Sequence, residues 1–473
     1  MTTALVVGSG PNGLSAAITL ARAGITVTVV ESATTVGGGL RSGEQTLPGL
    51  LHDHCAAIVP TAVSSPFMKS LDLESHGVRW AWPDIDLAHP LDGGAAGVLY
   101  RSLPQTAEGL GADGRRWSAL FGPLARNYDE LANDLLSPVL KVPHRPVRLA
   151  MFGLPAMMPA TAMARWFRTR QARALFAGNA AHAWVPLSRP PTAAFAMMFG
   201  AIAHRYGWPC VVGGTARLAD GLAGILRSLG GRIEIGVDVC ELSQLTGYDM
   251  VFFDTGPGLP SKLLGARLPV RVRRALGRQR YGPAAYKLDL AVHEGVPWAN
   301  PEARRAGTVH VCGSERDVVA AERATARGQL PERPFVIVAQ QALMDPGRAT
   351  GGLVPIYAYA HVPHGFTGDA TPAILRQVER FAPGFRDRIA AVAEHQPRDL
   401  QRVNPNNVGG DINGGSMDIR AFFARPRLAV DPYWLGVDSY YLCSASTPPG
   451  GGVHGMCGHL AARAALRRLG RNA

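Results

Sequence analysis

The chain has 473 residues, 47% of them hydrophobic and 18% charged, with a formal net charge of +12. That length allows two or three domains with a sizeable core, and the composition excludes disorder as the main state. Scattered arginines carry the positive charge; only four lysines occur, Lys69, Lys141, Lys262 and Lys287. No basic run with interleaved aromatics exists, so nucleic acid is not an expected partner, and a peripheral attraction to anionic membrane ranks above it. The six cysteines (Cys55, Cys210, Cys240, Cys312, Cys443, Cys457) contain no C-x-x-C pair, and read as free thiols of a cytoplasmic protein. Apolar stretches are broken by Pro and Gly before they reach bilayer length, and a strand opening at Ala4 leaves no expectation of a secretory leader.

The first 31 residues read as strand (Ala4 to Val7), glycine turn (Gly8 to Gly13), helix (Leu14 to Ala23) and β-branched strand (Ile25 to Val30) closed by Glu31. Residues 70–205 are rich in Met, Pro, Trp and Phe and carry helix-like runs. A second α/β piece starts near Val211: Gly213-Gly214-Thr215, a helix from Leu218 to Leu229, a strand from Ile233 to Val239 and another over Met250 to Phe253. Residues 265–400 mix strands (Ala285 to Val292, Phe335 to Gln340, Leu353 to His361) with a helix from Ile374 to Phe381. The last piece is a strand over Tyr440 to Cys443, a Pro448–Gly452 turn and a small-residue helix from His454 to Leu469. The expected fold is α/β: a Rossmann-type nucleotide domain from residues 1–70, 206–264 and 401–473, interleaved with a mixed α+β substrate domain from 71–205 and 265–400.

In Gly8-x-Gly10-x-x-Gly13, the first glycine permits a tight turn, the second lets a pyrophosphate approach the backbone, and the third lets the helix pack on the sheet. Pro11 and Asn12 open the helix, whose free N–H groups and positive dipole end suit phosphate. Glu31, followed by Ser32, would accept from a ribose and repel a 2′-phosphate, which disfavours NADP. Two further elements, Gly37-Gly38-Gly39-Leu40-Arg41-Ser42 and Pro449-Gly450-Gly451-Gly452-Val453-His454-Gly455-Met456, give the chain a resemblance to the phytoene desaturase-like FAD oxidoreductases, within the flavin amine oxidase class. That resemblance spans essentially the whole chain, most weakly near 80–200. It implies FAD phosphates near Arg41, adenine against the Val239 backbone, and an isoalloxazine closed over by Gly451 to Gly455, with Met456 following. Asn406 to Asp411 also resembles a family element.

A helix starting near His454 would aim its positive end at the flavin N1–C2=O edge, with His454 either touching the ring or facing solvent. No second fingerprint for a nicotinamide nucleotide is seen. Cys443 and Cys457 do not match the family's thioether position, so the FAD is expected to be non-covalent. In Ala285 to Val292, alternation puts Lys287 and Asp289 on one face. Flavin amine oxidases show a similar strand whose lysine holds a water over flavin N5; the other reading is a solvent-facing lysine paired with Asp289. His52-Asp53-His54 lacks a third ligand and reads as turn capping, with no metal expected.

Met151, Met157, Met158, Met163, Met197 and Met198 read as core or as the wall of an apolar tunnel. The segment Leu149 to Ala164, interrupted by Pro155 and Pro159 and flanked by Arg148 and Arg165, reads as a short re-entrant or interfacial segment, or else as an ordinary tunnel wall that never touches lipid. The expected reaction is hydride transfer from a substrate C–H to flavin N5, with an external acceptor (oxygen, quinone or another carrier) taking the electrons. Three readings stand: desaturation, saturation or isomerisation of a small apolar isoprenoid or polyene; oxidation of a C–N bond; and flavin retention without turnover.

Overall fold

Short β-branched runs far apart in sequence meet in one parallel sheet. The computed structural model describes residues 2–140 and 146–470. Its first sheet runs Tyr440–Leu442, Met250–Phe253, Thr3–Val7, Thr26–Glu31, Arg232–Ile235, every neighbour pair parallel. Ala4 to Val7 sit at its centre, at most 5% exposed, which is why that strand is apolar throughout instead of alternating. Helices Pro11–Arg22, Ala216–Ser228 and Met456–Arg468 cover one face with Leu14, Leu218, Leu222 and Leu466. Leu5, Val7, Val251 and Phe253 point to the other face, toward helices Gly258–Leu264 and Val270–Gly277. This is an α/β layer sandwich with a Rossmann-like core.

The second sheet is mixed and seven-stranded: Ile389–His395, Ala284–His293, Leu353–Val362, Val336–Ala339, Ala306–Val311, Ile85–Pro90, Ala96–Leu99. Period-two alternation sorts its residues. Tyr286, Leu288, Leu290, Val309, Val338 and Ile356 form an apolar layer with Ile374 and Val378 of helix Thr371–Glu379. The opposite face carries His89, His310, Tyr357, Tyr359, His361, Lys287 and Asp289. Helices Gly114–Arg126, Arg170–Ala181 and Thr192–Tyr206 form a layer beside it.

Three expected elements differ in detail. The strand expected over Ile233 to Val239 spans Arg232–Ile235 and stops before Gly236, whose φ is +73, so Val239 lies in the loop beyond it. The last helix begins at Met456 because Gly455 sits at φ +66, and His454 stays outside to accept from the Met456 N–H through Nδ1. The stretch around Leu149 to Ala164 forms helix Pro146–Ala156, with Pro155 in its last turn, and a separate short helix Ala160–Ala164 after Pro159. Phe152, Ala156 and Met163 pack into the core, whereas Met151 and Leu154 are 68% and 77% exposed. Lys141 and the Arg148 side chain lie outside the described residues. No described helix is long and apolar enough to cross a membrane.

Candidate active site

Where the two sheets face each other lies a cavity of about 520 Å³. At one end its wall is backbone. Gly8, Gly10, Pro11, Asn12, Gly38, Gly39, Leu40, Arg41, Val239, Gly451, Gly452 and Val453 all line it, as do Glu31 and Ser32. The glycine turn is tightly held. Gly8 donates to Val30 O at 2.8 Å, Gly37 N–H donates to Ser9 O at 3.1 Å, and Gly13 donates to the Asp254 carboxylate at 2.7 Å. A Cβ on Gly13 would stand 2.1 Å from Gly8 O, so only glycine lets the helix start there.

Gly13 is therefore a packing residue, set behind the wall and not on it. Gly455 and Met456 also leave the wall: a Cβ on Gly455 would meet Ser15 Oγ at 2.1 Å, and Met456 is buried against the first helix layer. His454 is buried and off the wall as well. Its Nε2 lies 3.2 Å from Gly450 O, and burial pulls its pKa down to about 4, so both ring nitrogens serve the loop. It is a fixed neutral brace for the terminal glycines, neither solvent-facing nor on the cavity wall.

Glu31 ends its strand at the cavity with every lone-pair site engaged. Oε2 accepts from Ser9 N–H (2.9 Å) and Ser9 Oγ (2.7 Å); Oε1 accepts from Ala33 N–H (2.9 Å) and Arg41 Nη2 (3.3 Å). A ribose can reach it only as Arg41 swings away. Arg41 is free to do so: its other contacts are two carbonyls, Thr35 O at 3.2 Å and Val403 O at 3.4 Å, and its buried Nε has no partner. A guanidinium with an unpaired N–H beside exposed glycine amides fits a diphosphate.

Two residues here escaped the sequence reading. Burial pushes the Asp254 carboxyl well above its usual range, with the Glu31 charge adding to it, while its Oδ2 accepts from the Gly13 N–H of the glycine turn. Arg425 is buried and donates to Asn413 O, Ala445 O, Gly415 O and Ser416 O, tying the loop before the last strand to the loop after it. No motif marks either residue, since each acts on backbone from a distant loop.

The other end of the cavity is made of side chains. Trp184, Phe195, Met198, Phe199, Trp208, Ile337, Tyr357 and Tyr359 surround it, with His182 and Thr308 among them. Trp184 stacks on Tyr359 at 5.9 Å, and Phe199 meets Trp208 edge-on at 5.6 Å. Of the methionines, Met198 alone among those singled out lines the wall; Met197 and Met163 are core, and Met151 and Met158 are exposed.

Lys287 stands off the wall. Its ammonium is bonded to Asp289 and sits 4.8 Å from the Tyr357 ring centroid, behind that ring. It is 2% exposed, so the solvent-facing alternative does not describe it. Asp289 also meets His395 Nε2 at 3.0 Å and His52 Nδ1 at 3.3 Å. Burial alone would raise the Asp289 carboxyl, but Lys287, His395 and His52 together hold it well below the usual range. Asp53 accepts from Arg348 (2.7 Å), Ser42 (2.6 Å) and Thr215 N–H (2.8 Å), so the His52-Asp53-His54 stretch serves two separate buried networks. Burial raises the thiols of Cys443 and Cys457, the latter to about 12, and neither lines the cavity.

This fold, a Rossmann-like core beside a second mixed sheet, is shared with solved oxidoreductases. A family model, the NAD(P)-binding Rossmann-like domain, matches residues 6–72. The chain is 22% identical to the pyridine nucleotide-disulfide oxidoreductase domain-containing protein 2 of Rattus norvegicus, over 98% of this chain and 93% of that protein. It is 26% identical to the hydroxyneurosporene desaturase of Cereibacter sphaeroides, over 70% of this chain and 73% of that one. Among solved structures, cyclohexylamine oxidase from Brevibacterium oxydans superposes with a TM-score of 0.61 at 15% identity, covering 99% of this chain and all of that one.

Proposed function

We propose that the substrate is a neutral, apolar molecule, an isoprenoid or polyene, which gives up a hydride from one C–H and a proton from its neighbour, both of which FAD would take up on reduction to FADH2, to leave a C=C bond. The observation that carries this is the chemistry of the aromatic end. The acidic residues of the cavity wall, Glu31, Asp238 and Asp254, all belong to the cradle end, so no carboxylate awaits a cationic amine among the rings. Likeness to a desaturase supports the same reading; likeness in fold to an amine oxidase keeps C–N oxidation as the second.

When bound, FAD supplies the two-electron acceptor. The glycine turn, Arg41 and Glu31 would hold its dinucleotide non-covalently, and the Arg425-braced loops would present Gly451 and Gly452 to its ring. The roles of Val239 and Arg41 toward adenine and phosphate belong to the same proposal. The aromatic wall excludes water and orients the C–H. An external acceptor, oxygen, a quinone or another carrier, then takes the electrons. An apolar substrate suits a route from membrane, and the helix Pro146–Ala156 offers one: Val147, Met151 and Leu154 recur at helical spacing and are exposed, with exposed Met158 just beyond it. Met151→Glu with Leu154→Glu is expected to abolish co-sedimentation with anionic liposomes.

The deciding experiment is anaerobic. Purified protein is expected to be yellow and to release FAD on denaturation. Neutral isoprenoids are expected to bleach its flavin while small amines do not. Bleaching by amines alone replaces the desaturase reading with the C–N oxidase; bleaching by neither class favours flavin retention without turnover.

A further inference from the structure

The arginines scattered along the sequence gather in one place on the nucleotide domain. Between Asp254 and Asp289 the chain has no acidic residue and eight basic ones. Lys287 is buried in the second sheet; the other seven are exposed, and six of them are arginines: Arg267, Arg271, Arg273, Arg274, Arg278 and Arg280. The helix Val270–Gly277 turns Val272 and Leu276 onto the first sheet, so Arg271, Arg274 and Arg278, at spacings of three and four, form a stripe on its outer side. Arg267 pairs with Asp438 at 2.8 Å; among the described residues no carboxylate pairs with the other five.

Helix stability does not account for the stripe. Arg271 stands in the first turn, where the positive end of the helix dipole disfavours a cation and no acidic residue offsets it. Neighbouring segments add charge of the same sign. The pKa of half-buried Arg427 is lowered, by burial first and by the charges of Arg271 and Arg468 beyond that, against the pull of Asp431. Repulsion among uncompensated like charges is relieved when a surface of opposite sign covers them.

The stripe also leads to the cavity. Just past the helix, Gln279 Nε2 donates to Gly414 O at 3.0 Å, Ser416 N–H donates to Arg280 O at 2.8 Å, and Gly282 N–H donates to Asp411 Oδ2 at 2.7 Å. That loop lines the cavity with Asn413, Gly414 and Met417, and a Cβ on Gly451 would stand 3.0 Å from Asn413 O. The basic stretch is thus bonded to the outside of a loop whose inside is cavity wall beside the terminal glycines.

We infer that this arginine stripe is the docking surface for an acidic one-electron carrier protein, the external acceptor of the flavin's electrons. This deepens, and rests on, the reading of an FAD-loaded enzyme with an external acceptor. Two carrier molecules dock in turn; each takes one electron from the reduced flavin, and the two protons held by FADH2 leave to solvent. A protein fits the stripe better than lipid does. Val270 is the one large apolar residue exposed on that helix, so the surface offers charge to rest against and little apolar area to insert.

The test uses two carrier proteins of opposite surface charge, acidic plant plastocyanin and basic cytochrome c. Binding to each, immobilised, is read by surface plasmon resonance. Electron transfer is read from the carrier's absorbance after anaerobic photoreduction of the flavin, which needs no substrate. Wild type is expected to bind plastocyanin, to lose about tenfold in affinity between about 20 and about 200 mM salt, and to reduce it faster than cytochrome c. Arg271→Glu with Arg274→Glu is expected to weaken binding and slow reduction of plastocyanin about tenfold, with reduction of neutral duroquinone unchanged. Retained yellow colour reports that the variant is folded. Plastocyanin binding and reduction unchanged in the variant, or tighter binding of cytochrome c by wild type, overturns the docking surface and leaves the flavoenzyme reading standing. Co-sedimentation with phosphatidylserine vesicles that the variant loses, while its plastocyanin kinetics hold, also overturns it and assigns the stripe to lipid. A colourless protein that cannot be reconstituted with FAD overturns the flavin reading and with it the carrier's role.

Discussion

The two ends of the cavity are built from different materials. The cradle end is backbone: turns, amides and carbonyls at contact distance, where one added methyl group collides with another segment. The aromatic end is side chain: rings from four separated stretches of sequence, each replaceable by another ring at modest cost. A backbone site depends on the absence of atoms and tolerates nothing; a side-chain site depends on their shape and can be retuned. Cofactor binding and substrate choice are thereby separable in one cavity.

The largest effect expected is at Gly13. Gly13→Ala drives a methyl group into Gly8 O, and the FAD-to-protein ratio, read from absorbance, is expected to fall below about a tenth. A yellow Gly13→Ala protein breaks the contrast at its strongest point. Next comes Lys287, which lies behind the aromatic wall. Lys287→Met leaves Asp289 buried beside two histidines, and is expected to cost about 3–5 kcal/mol in urea unfolding with both flavin half-reactions unchanged. Slowed half-reactions at full stability would return Lys287 to the reacting atoms.

A smaller effect crosses both ends. His454 beside the cradle and His89 beyond the aromatic wall are each held near 4 by burial, below the unfolded value of 6.5. The unfolded chain therefore binds more protons between these pH values, and stability present above pH 6.5 is lost as pH falls toward 4. Each histidine is expected to cost about 2 kcal/mol at pH 5 relative to pH 7. His454→Asn, whose Oδ1 can replace Nδ1, is expected to flatten its share of that slope. The smallest effect is at Asp254: its Oδ2 accepts from the Gly13 N–H, a part that an amide oxygen can take over, so Asp254→Asn is expected to leave FAD affinity within about twofold. A large loss of FAD would show that the carboxyl group itself is needed.

The same division governs what could be read from the sequence. The cradle was legible because its requirements are steric and local: Gly8 to Gly13 between strand and helix, Glu31 at a strand end, a second glycine loop beginning six residues on. Alternation likewise put Lys287 and Asp289 on one face. What periodicity could not carry was depth: burial of Lys287 follows from the Leu353–Val362 strand beside it and Tyr357 above it, partners seventy residues away. Asp254 and Arg425 were illegible for the same reason. Each sits in a stretch without a motif and acquires its role from groups more distant in the chain or from carbonyls, which have no signature at all.

The interlocking of the first and last helices has a consequence for how the protein is made. A Cβ on Gly458 would fall 1.7 Å from Asn12 O, so the two helices share a seam with no room for error. The cradle thus joins segments some 440 residues apart in the chain, with other structure to fold between them. Until residue 458 has docked, the glycine turn is a loop on an unfinished sheet. Retained cofactor would therefore report that this distant seam has closed.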